Sequence, residues 1–322
     1  MKRRLFCSAS LALGLYPIPG AAAGFPERPV TMIVPYGPGG PTDTVARLIS
    51  AEIEPLLGNR LLIVNKAGAS GTIGTAEVVR AKPDGYTIGY TTAAVVGLQP
   101  LIMSSVAFQS IADYQPLVKL LDVPMVVAVK EDSPYQKFED FIADARKRPG
   151  AVRVAVAGKL TEPDLVVELL KIAATIDVNN VPFTGGSNEA LAAALGGHVE
   201  AFAAAMTGLY PHVQGRRIRI LAVMHNARHP LVPEVPTAKE LGYDVNLPAM
   251  HFLIAPKAIS ADAAELLRSS ITKVILGPKF QELALKSGFR PDPISGVPLQ
   301  TEIAQYRAVY AKLIRDLRVP RQ

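Results

Sequence analysis

The chain has 322 residues, 49% of them apolar and 19% charged, with a net charge of +6. That length suits one large domain or two ordinary ones, and the apolar share excludes a disordered chain. Gly (25) and Pro (27) are plentiful but follow no Gly-X-Y period, which excludes collagen, and with no Trp the core is built mainly from Ala, Val, Leu and Ile.

The first residues read as an export signal. Met1-Lys2-Arg3-Arg4 is a basic start, residues 5–15 are apolar, and Ala21-Ala22-Ala23 offers a small-residue cleavage site. The apolar stretch is too short to span a bilayer, and Pro17 and Pro19 interrupt it. The expectation is a signal peptide over 1–23 and a periplasmic product. Arg3-Arg4 fits the twin-arginine route and the general secretion route equally. Cys7, the only cysteine, lies inside this segment, so a chain starting at Gly24 has no thiol for disulfides, catalysis or metal binding. The basic residues that remain are scattered, which excludes nucleic acid as a partner.

Strand, Gly-rich turn and helix then alternate. A β-branched run at 30–34 ends in Pro35-Tyr36-Gly37-Pro38-Gly39-Gly40-Pro41, and Thr42 or Asp43 is a candidate cap for a helix reaching about Leu57. Val45, Leu48, Ile49, Ile53 and Leu56 share one face of it, and Gly58 stops it. A second unit has a strand at 61–64, the turn Gly68-Ala69-Ser70-Gly71 and a helix over about 72–81. A strand at 86–90 leads through Thr91-Thr92 into a third helix. The apolar stretch 117–129, broken by Asp122 and Pro124, reads as a crossing into a second lobe.

The second lobe repeats the scheme. Strands are expected at 152–156, 180–183, 201–205 and 218–223. One helix carries Leu165, Val166, Leu169 and Leu170; another passes through Leu191 and Leu195. The chain crosses back around 248–255, and in the last helix Ile303, Tyr306, Tyr310, Leu313 and Leu317 form a face for packing on the first lobe. Strands alternating with helices imply an α/β fold. The reading divides the chain into a first lobe (24–122 with 251–322) and a second lobe (123–250).

The turns are the informative feature. A Gly-rich turn lets a ligand approach the backbone, and the unpaired N–H groups and positive dipole of a helix start favour an anion. Several such starts aimed at one cleft would hold a carboxylate without an Arg. Enzyme signatures are missing. Gly68-x-x-Gly71-x-x-Gly74 is a near miss to a dinucleotide fingerprint and follows the second strand, and there is no G-x-S-x-G elbow. His225 and His229 have metal-like spacing, but Pro230 follows at once and they read as loop or surface residues. No metal, cofactor or catalytic residue is expected.

The run Val34-Pro35-Tyr36-Gly37-Pro38-Gly39-Gly40-Pro41-Thr42-Asp43, then Asn65-Lys66-Ala67-Gly68-Ala69-Ser70-Gly71, Pro83-Asp84-Gly85-Tyr86, Val181-Pro182-Phe183-Thr184-Gly185-Gly186, Leu195-Gly196-Gly197-His198 and Val232-Pro233-Glu234-Val235-Pro236-Thr237, in this order, resembles the tripartite tricarboxylate transporter substrate-binding proteins, or Bug receptors. The resemblance implies a two-lobed periplasmic-binding-protein fold of type II, each lobe a mixed, largely parallel sheet flanked by helices, with two crossing strands as hinge. It implies a monomeric receptor that closes over a small carboxylate and presents it to an inner-membrane permease with large and small membrane subunits. A sensor ectodomain is the alternative partner, and a periplasmic enzyme the alternative class. By matching motif, the ligand contacts would be Tyr36, Pro38, Gly39, Gly40, Thr42, Asp43, Gly71 and Thr91 in the first lobe. In the second they would be Gly158, Thr161, Thr184, Gly185, Gly186, Ser187, Met206 and Thr207. One turn departs from the family: Gly158-Lys159-Leu160-Thr161-Glu162-Pro163-Asp164 stands where Gly-x-Gly-Ser is usual. Lys159 meeting a second carboxylate, Glu162 meeting an amine, and all three charged residues facing solvent are the open alternatives.

Overall fold

The computed structural model describes residues 24–183 and 186–321. The expected export signal and the turn residues Thr184 and Gly185 lie outside the described residues.

The first half of lobe 1 comprises β1 (Val30–Val34), α1 (Pro41–Leu57), β2 (Leu61–Asn65), α2 (Thr72–Arg80), β3 (Thr87–Thr92) and the short α3 (Gln99–Ile102). β4 (Tyr114–Val123) then runs through Pro124 into β5 (Met125–Lys130) of the other lobe. Lobe 2 continues with α4 (Phe138–Lys147), β6 (Arg153–Val156), α5 (Glu162–Ala174), β7 (Asn179–Pro182), α6 (Ser187–Leu195), β8 (Ala201–Ala205), α7 (Tyr210–Gln214) and β9 (Ile218–Met224). The return brings β10 (Ala249–Pro256), α8 (Ala261–Leu276), α9 (Pro278–Lys286), β11 (Arg290–Pro291) and α10 (Gly296–Asp316).

Among the described residues the strands form two sheets, ordered β11-β4-β10-β3-β1-β2 and β7-β6-β8-β5-β9. β1 pairs parallel with β2 and β3, and β6 pairs parallel with β7 and β8. The antiparallel pairs all involve strands next to the crossings: β10 with β3 and β4, β11 with β4, and β5 with β8 and β9. The reason is directional. β4 carries the chain out of the first sheet and β10 brings it back beside β4, so the two run in opposite senses.

The α1 stripe buries Val45, Ala46, Ile49, Ile53 and Leu57, while Leu56 is exposed, one residue off the expected face. Gly58 ends the helix at φ 81° and donates its N–H to Glu54 O at 2.9 Å. The helix begins earlier than the side-chain caps suggested. Pro41 takes the first position after an extended Gly40, so Thr42 and Asp43 lie inside the first turn and neither is the cap. Pro suits this place because its missing N–H would have had no helical acceptor and its fixed φ is already helical.

α10 buries Leu299, Ile303, Tyr306, Tyr310 and Leu313 against lobe 1 and also meets α5 of lobe 2. Leu317 lies beyond its end and is 37% exposed, so it leaves the expected face. A π-helical turn at 94–98 lets Tyr310 approach Gly97 so closely that a Cβ there would sit 3.1 Å from the ring. Between the crossings lies a charge network centred on buried Lys119 and Asp122. Lys119 Nζ is 2.8 Å from Asp122, 2.8 Å from Asp292 and 2.6 Å from Glu302. Asp122 also lies 3.4 Å from His225 Nε2 on the return path. Burial disfavours the Lys119 charge, but Asp122 and the three hydrogen bonds outweigh it and hold its pKa above the ordinary range. His225 and His229 lie in a loop, as expected, but are buried and not at the surface, and no metal-ligating cluster occurs among the described residues.

Candidate functional site

Helix starts from both lobes meet between the sheets. An inner cavity of about 280 Å³ is lined by Pro41 and Thr42 at the start of α1, by Thr161, Glu162 and Pro163 at the start of α5, and by Ser187 at the start of α6. Tyr36, Thr92, Ala205, Thr207 and His251 complete most of its wall. An outer cavity of about 510 Å³ shares Tyr36, Thr161 and Glu162 and adds Ser70, Gln99, Lys159 and the chain end at Val319 and Pro320.

The turn leading to α1 is held from behind. Asp43 Oδ2 accepts from Gly39 N at 2.9 Å and from Arg47 Nε at 2.8 Å, and its Oδ1 accepts from Asn65 Nδ2 at 2.9 Å. The Arg47 hydrogen bond leads in holding the Asp43 carboxyl down to about 2. Asp43 is 2% exposed and acts as a clamp on the turn. The turn into α5 uses the same device. Asp164 Oδ2 accepts from Leu160 N at 2.9 Å, and its Oδ1 accepts from Asn180 Nδ2 at 2.7 Å.

Several amides of these turns already have acceptors. Gly39 N is taken by Asp43, Gly71 N by Gly68 O, Gly158 N by Val156 O, Gly186 N by Phe183 O and Met206 N by Pro124 O. An α-helix leaves its first N–H groups without intrahelical acceptors, here those of Thr42 and Asp43 in α1 and of Ser187 and Asn188 in α6. Their dipoles favour an anion in the cavity.

Of the residues singled out from the sequence, Tyr36, Thr42, Thr161, Ser187 and Thr207 line the inner cavity. Pro38, Gly39 and Gly40 form the turn ahead of α1, and Gly158 and Gly186 shape the turns ahead of α5 and α6. Thr91 is fully buried behind the wall, 3.4 Å from Thr75. Met206 is also buried, beside Thr207. Gly71, at φ 91°, backs Tyr36: a Cβ there would sit 3.3 Å from the Tyr36 hydroxyl and 2.9 Å from Val95. Burial first, then the Glu162 charge, pushes the Tyr36 phenol up to about 12, with Thr92 beside its hydroxyl opposing the rise. Tyr36 is therefore a neutral donor at neutral pH.

Two polar wall residues escaped sequence reasoning. His251 belongs to β10 and bonds through Nδ1 to Tyr90 Oη at 2.8 Å. Burial pushes it down to about 4, so it is neutral. Thr92 is the last residue of β3. Neither sits in a Gly-rich turn, and only the pairing of β10 with β3 brings them together. The departed turn separates its three charges. Lys159 is exposed and lines only the outer cavity, Asp164 is the clamp, and Glu162 reaches both cavities. Burial pushes the Glu162 carboxyl above its ordinary range.

Comparison with known proteins agrees with this fold. Residues 45–317 match the tripartite tricarboxylate transporter family receptor profile. The chain is 30% identical over 304 residues to Protein BugT of Bordetella pertussis, covering 92% of each chain. It superposes on a TctC solute binding protein from Polaromonas with a TM-score of 0.82 at 27% identity, covering 91% of this chain and 100% of that one. On MatC from Rhodopseudomonas palustris with bound malate the TM-score is 0.71 at 26% identity, with 90% and 100% covered.

Proposed function

This chain belongs to the tripartite tricarboxylate transporter receptor family, and we propose that it is a periplasmic receptor that captures a small organic acid between its lobes. It hands the acid to an inner-membrane permease built of large and small membrane subunits, and acts by binding, as a monomer, with no chemical step. Residues 1–23 direct export and are removed. The lobes divide at the two crossings, near residues 123 and 250.

One observation carries the reading: the starts of α1, α5 and α6 line one cavity whose described wall contains no Lys or Arg. A carboxylate is held there by the first-turn N–H groups of α1 and α6 and by the Thr42, Ser187 and Thr207 side chains. The malate bound to MatC is an acid of this kind. No helix among the described residues is long and apolar enough to cross a membrane, which accords with a receptor outside the bilayer.

The test is a dye-reported thermal shift on protein unfolded and refolded to strip any trapped solute. The panel is small carboxylates, each beside its amide. A ligand at 100 times its Kd adds about 2.7 kcal/mol, roughly 5–10 °C for a chain of this size. The expected result is such a shift from a carboxylate and none from the corresponding fully amidated compound. Silence from every carboxylate with a well-folded sample overturns the reading.

A further inference from the structure

Glu162 is the one acidic side chain in the described wall of the inner cavity, and no Lys or Arg shares that wall. The other ionisable groups there are Tyr36 and His251, both neutral at neutral pH. Lys159, three residues away, lines only the outer cavity. Glu162 is partly buried, and burial pushes its carboxyl above the ordinary range. A carboxylate withdrawn from water without a cation is costly unless something donates to it.

The three helix starts are therefore not equivalent. Glu162 is the first residue of α5, so this start brings its own acidic side chain to the cavity. The starts of α1 and α6 put no acidic side chain in the described wall: Asp43 points back to Gly39, Arg47 and Asn65, Ser187 is neutral, and Glu189 in the first turn of α6 is not a lining residue. The cavity has one side of N–H donors, at α1 and α6, and an acidic side chain at Glu162. A dicarboxylate would satisfy the first side and set its second carboxylate against Glu162 with no cation between them. A molecule with a carboxylate and an N–H donor satisfies both.

We infer that Glu162 makes this receptor select small acids that also carry an ammonium or amide N–H group, amino acids and their monoamide relatives, over plain dicarboxylates of the same length. This rests on the carboxylate-receptor reading above and narrows its ligand class. The volume of about 280 Å³ admits a molecule of that size. Partial burial disfavours the charged Glu162, and an incoming ammonium would oppose that effect.

Isothermal titration at pH 7.5 with the stripped protein tests the inference on matched probes. These are 2-aminobutyrate, 4-aminobutyrate and succinamate against butyrate and succinate, and the same set one methylene longer. We expect the best N–H-bearing acid to bind at least tenfold tighter than the plain mono- and dicarboxylate of its length. In Glu162→Gln that advantage shrinks below threefold. A plain dicarboxylate that binds as tightly as its amine-bearing counterpart overturns the inference and leaves the carboxylate reading standing. An advantage unchanged in a folded Glu162→Gln also overturns it. Failure of every acid overturns both readings. The wild-type comparison decides the matter even if the variant does not fold.

Discussion

Asp43 and Asp164 hold matching places in opposite lobes. Each is the third residue of its helix, each accepts the backbone N–H four residues back at 2.9 Å, and each takes the amide of an Asn from an adjoining strand, Asn65 or Asn180. The two sides of the cavity are thus braced by one device built from unrelated turn sequences. For Asp43, whose carboxyl is held down to about 2, the sign follows directly. Its contribution is fully present above the ordinary carboxylate pKa and is lost as pH falls from about 4 towards 2. Calorimetry should show Asp43→Asn melting below wild type at pH 7, with the gap closing by pH 2. A gap independent of pH would assign the loss to packing instead.

Gly71→Ala should weaken ligand binding more than it weakens the fold. The residue sits at φ 91°, where a side chain is strained by about 1–2 kcal/mol. The new Cβ would press on Val95 at 2.9 Å and on the Tyr36 hydroxyl at 3.3 Å, displacing a cavity wall. Titration should show at least a tenfold loss of affinity for the best ligand. Unchanged affinity would remove Tyr36 from the binding surface.

Lys119→Met should be among the most damaging single substitutions. It leaves Asp122, Asp292 and Glu302 facing one another without their cation. Breaking a buried ion cluster from one side costs roughly 3–5 kcal/mol. Urea denaturation should report a loss of that order. A loss below about 1 kcal/mol would mean that water compensates the carboxylates.

Gly288→Ala probes the contact between the α9–β11 loop and the turn after β8. At φ 79°, its Cβ would sit 2.9 Å from the Met206 carbonyl oxygen and 3.0 Å from Thr207 N, and backbone atoms cannot rotate aside. We expect about 1–3 kcal/mol lower stability together with weaker ligand binding, because Thr207 lines the cavity. Lower stability with full affinity would show that the Thr207 turn moves independently of the loop.

The sheets were legible where local pattern decides them. β1 and β8 fall on their expected residues, and Gly58 ends α1, because a β-branched run and a left-handed glycine are local signals. The start of α1 was misplaced because Thr and Asp are strong caps in isolation, whereas Pro41 at the first position outranks them here. In the cavity, Tyr36, Thr42, Thr161, Ser187 and Thr207 belong to turns visible in the sequence. His251 was not visible, because its place depends on the pairing of β10 with β3 and on a hydrogen bond to Tyr90, 161 residues away. The departed turn showed that Lys159, Glu162 and Asp164 were unusual. It did not show which way each pointed, since helix register and the Asn180 amide settle that only in three dimensions.

The sheet orders also set a schedule for folding. Every strand of the second sheet lies between residues 125 and 224, so that lobe can complete itself from one unbroken stretch of chain. The first sheet inserts β10 between β3 and β4, flanks β4 with β11 and rests on α10, all drawn from the last quarter of the sequence. Its early strands must wait, with β3 and β4 lacking their shared neighbour, until the far end of the polypeptide arrives. During synthesis lobe 1 is therefore the half that stays open longer, while lobe 2 is the half able to fold first.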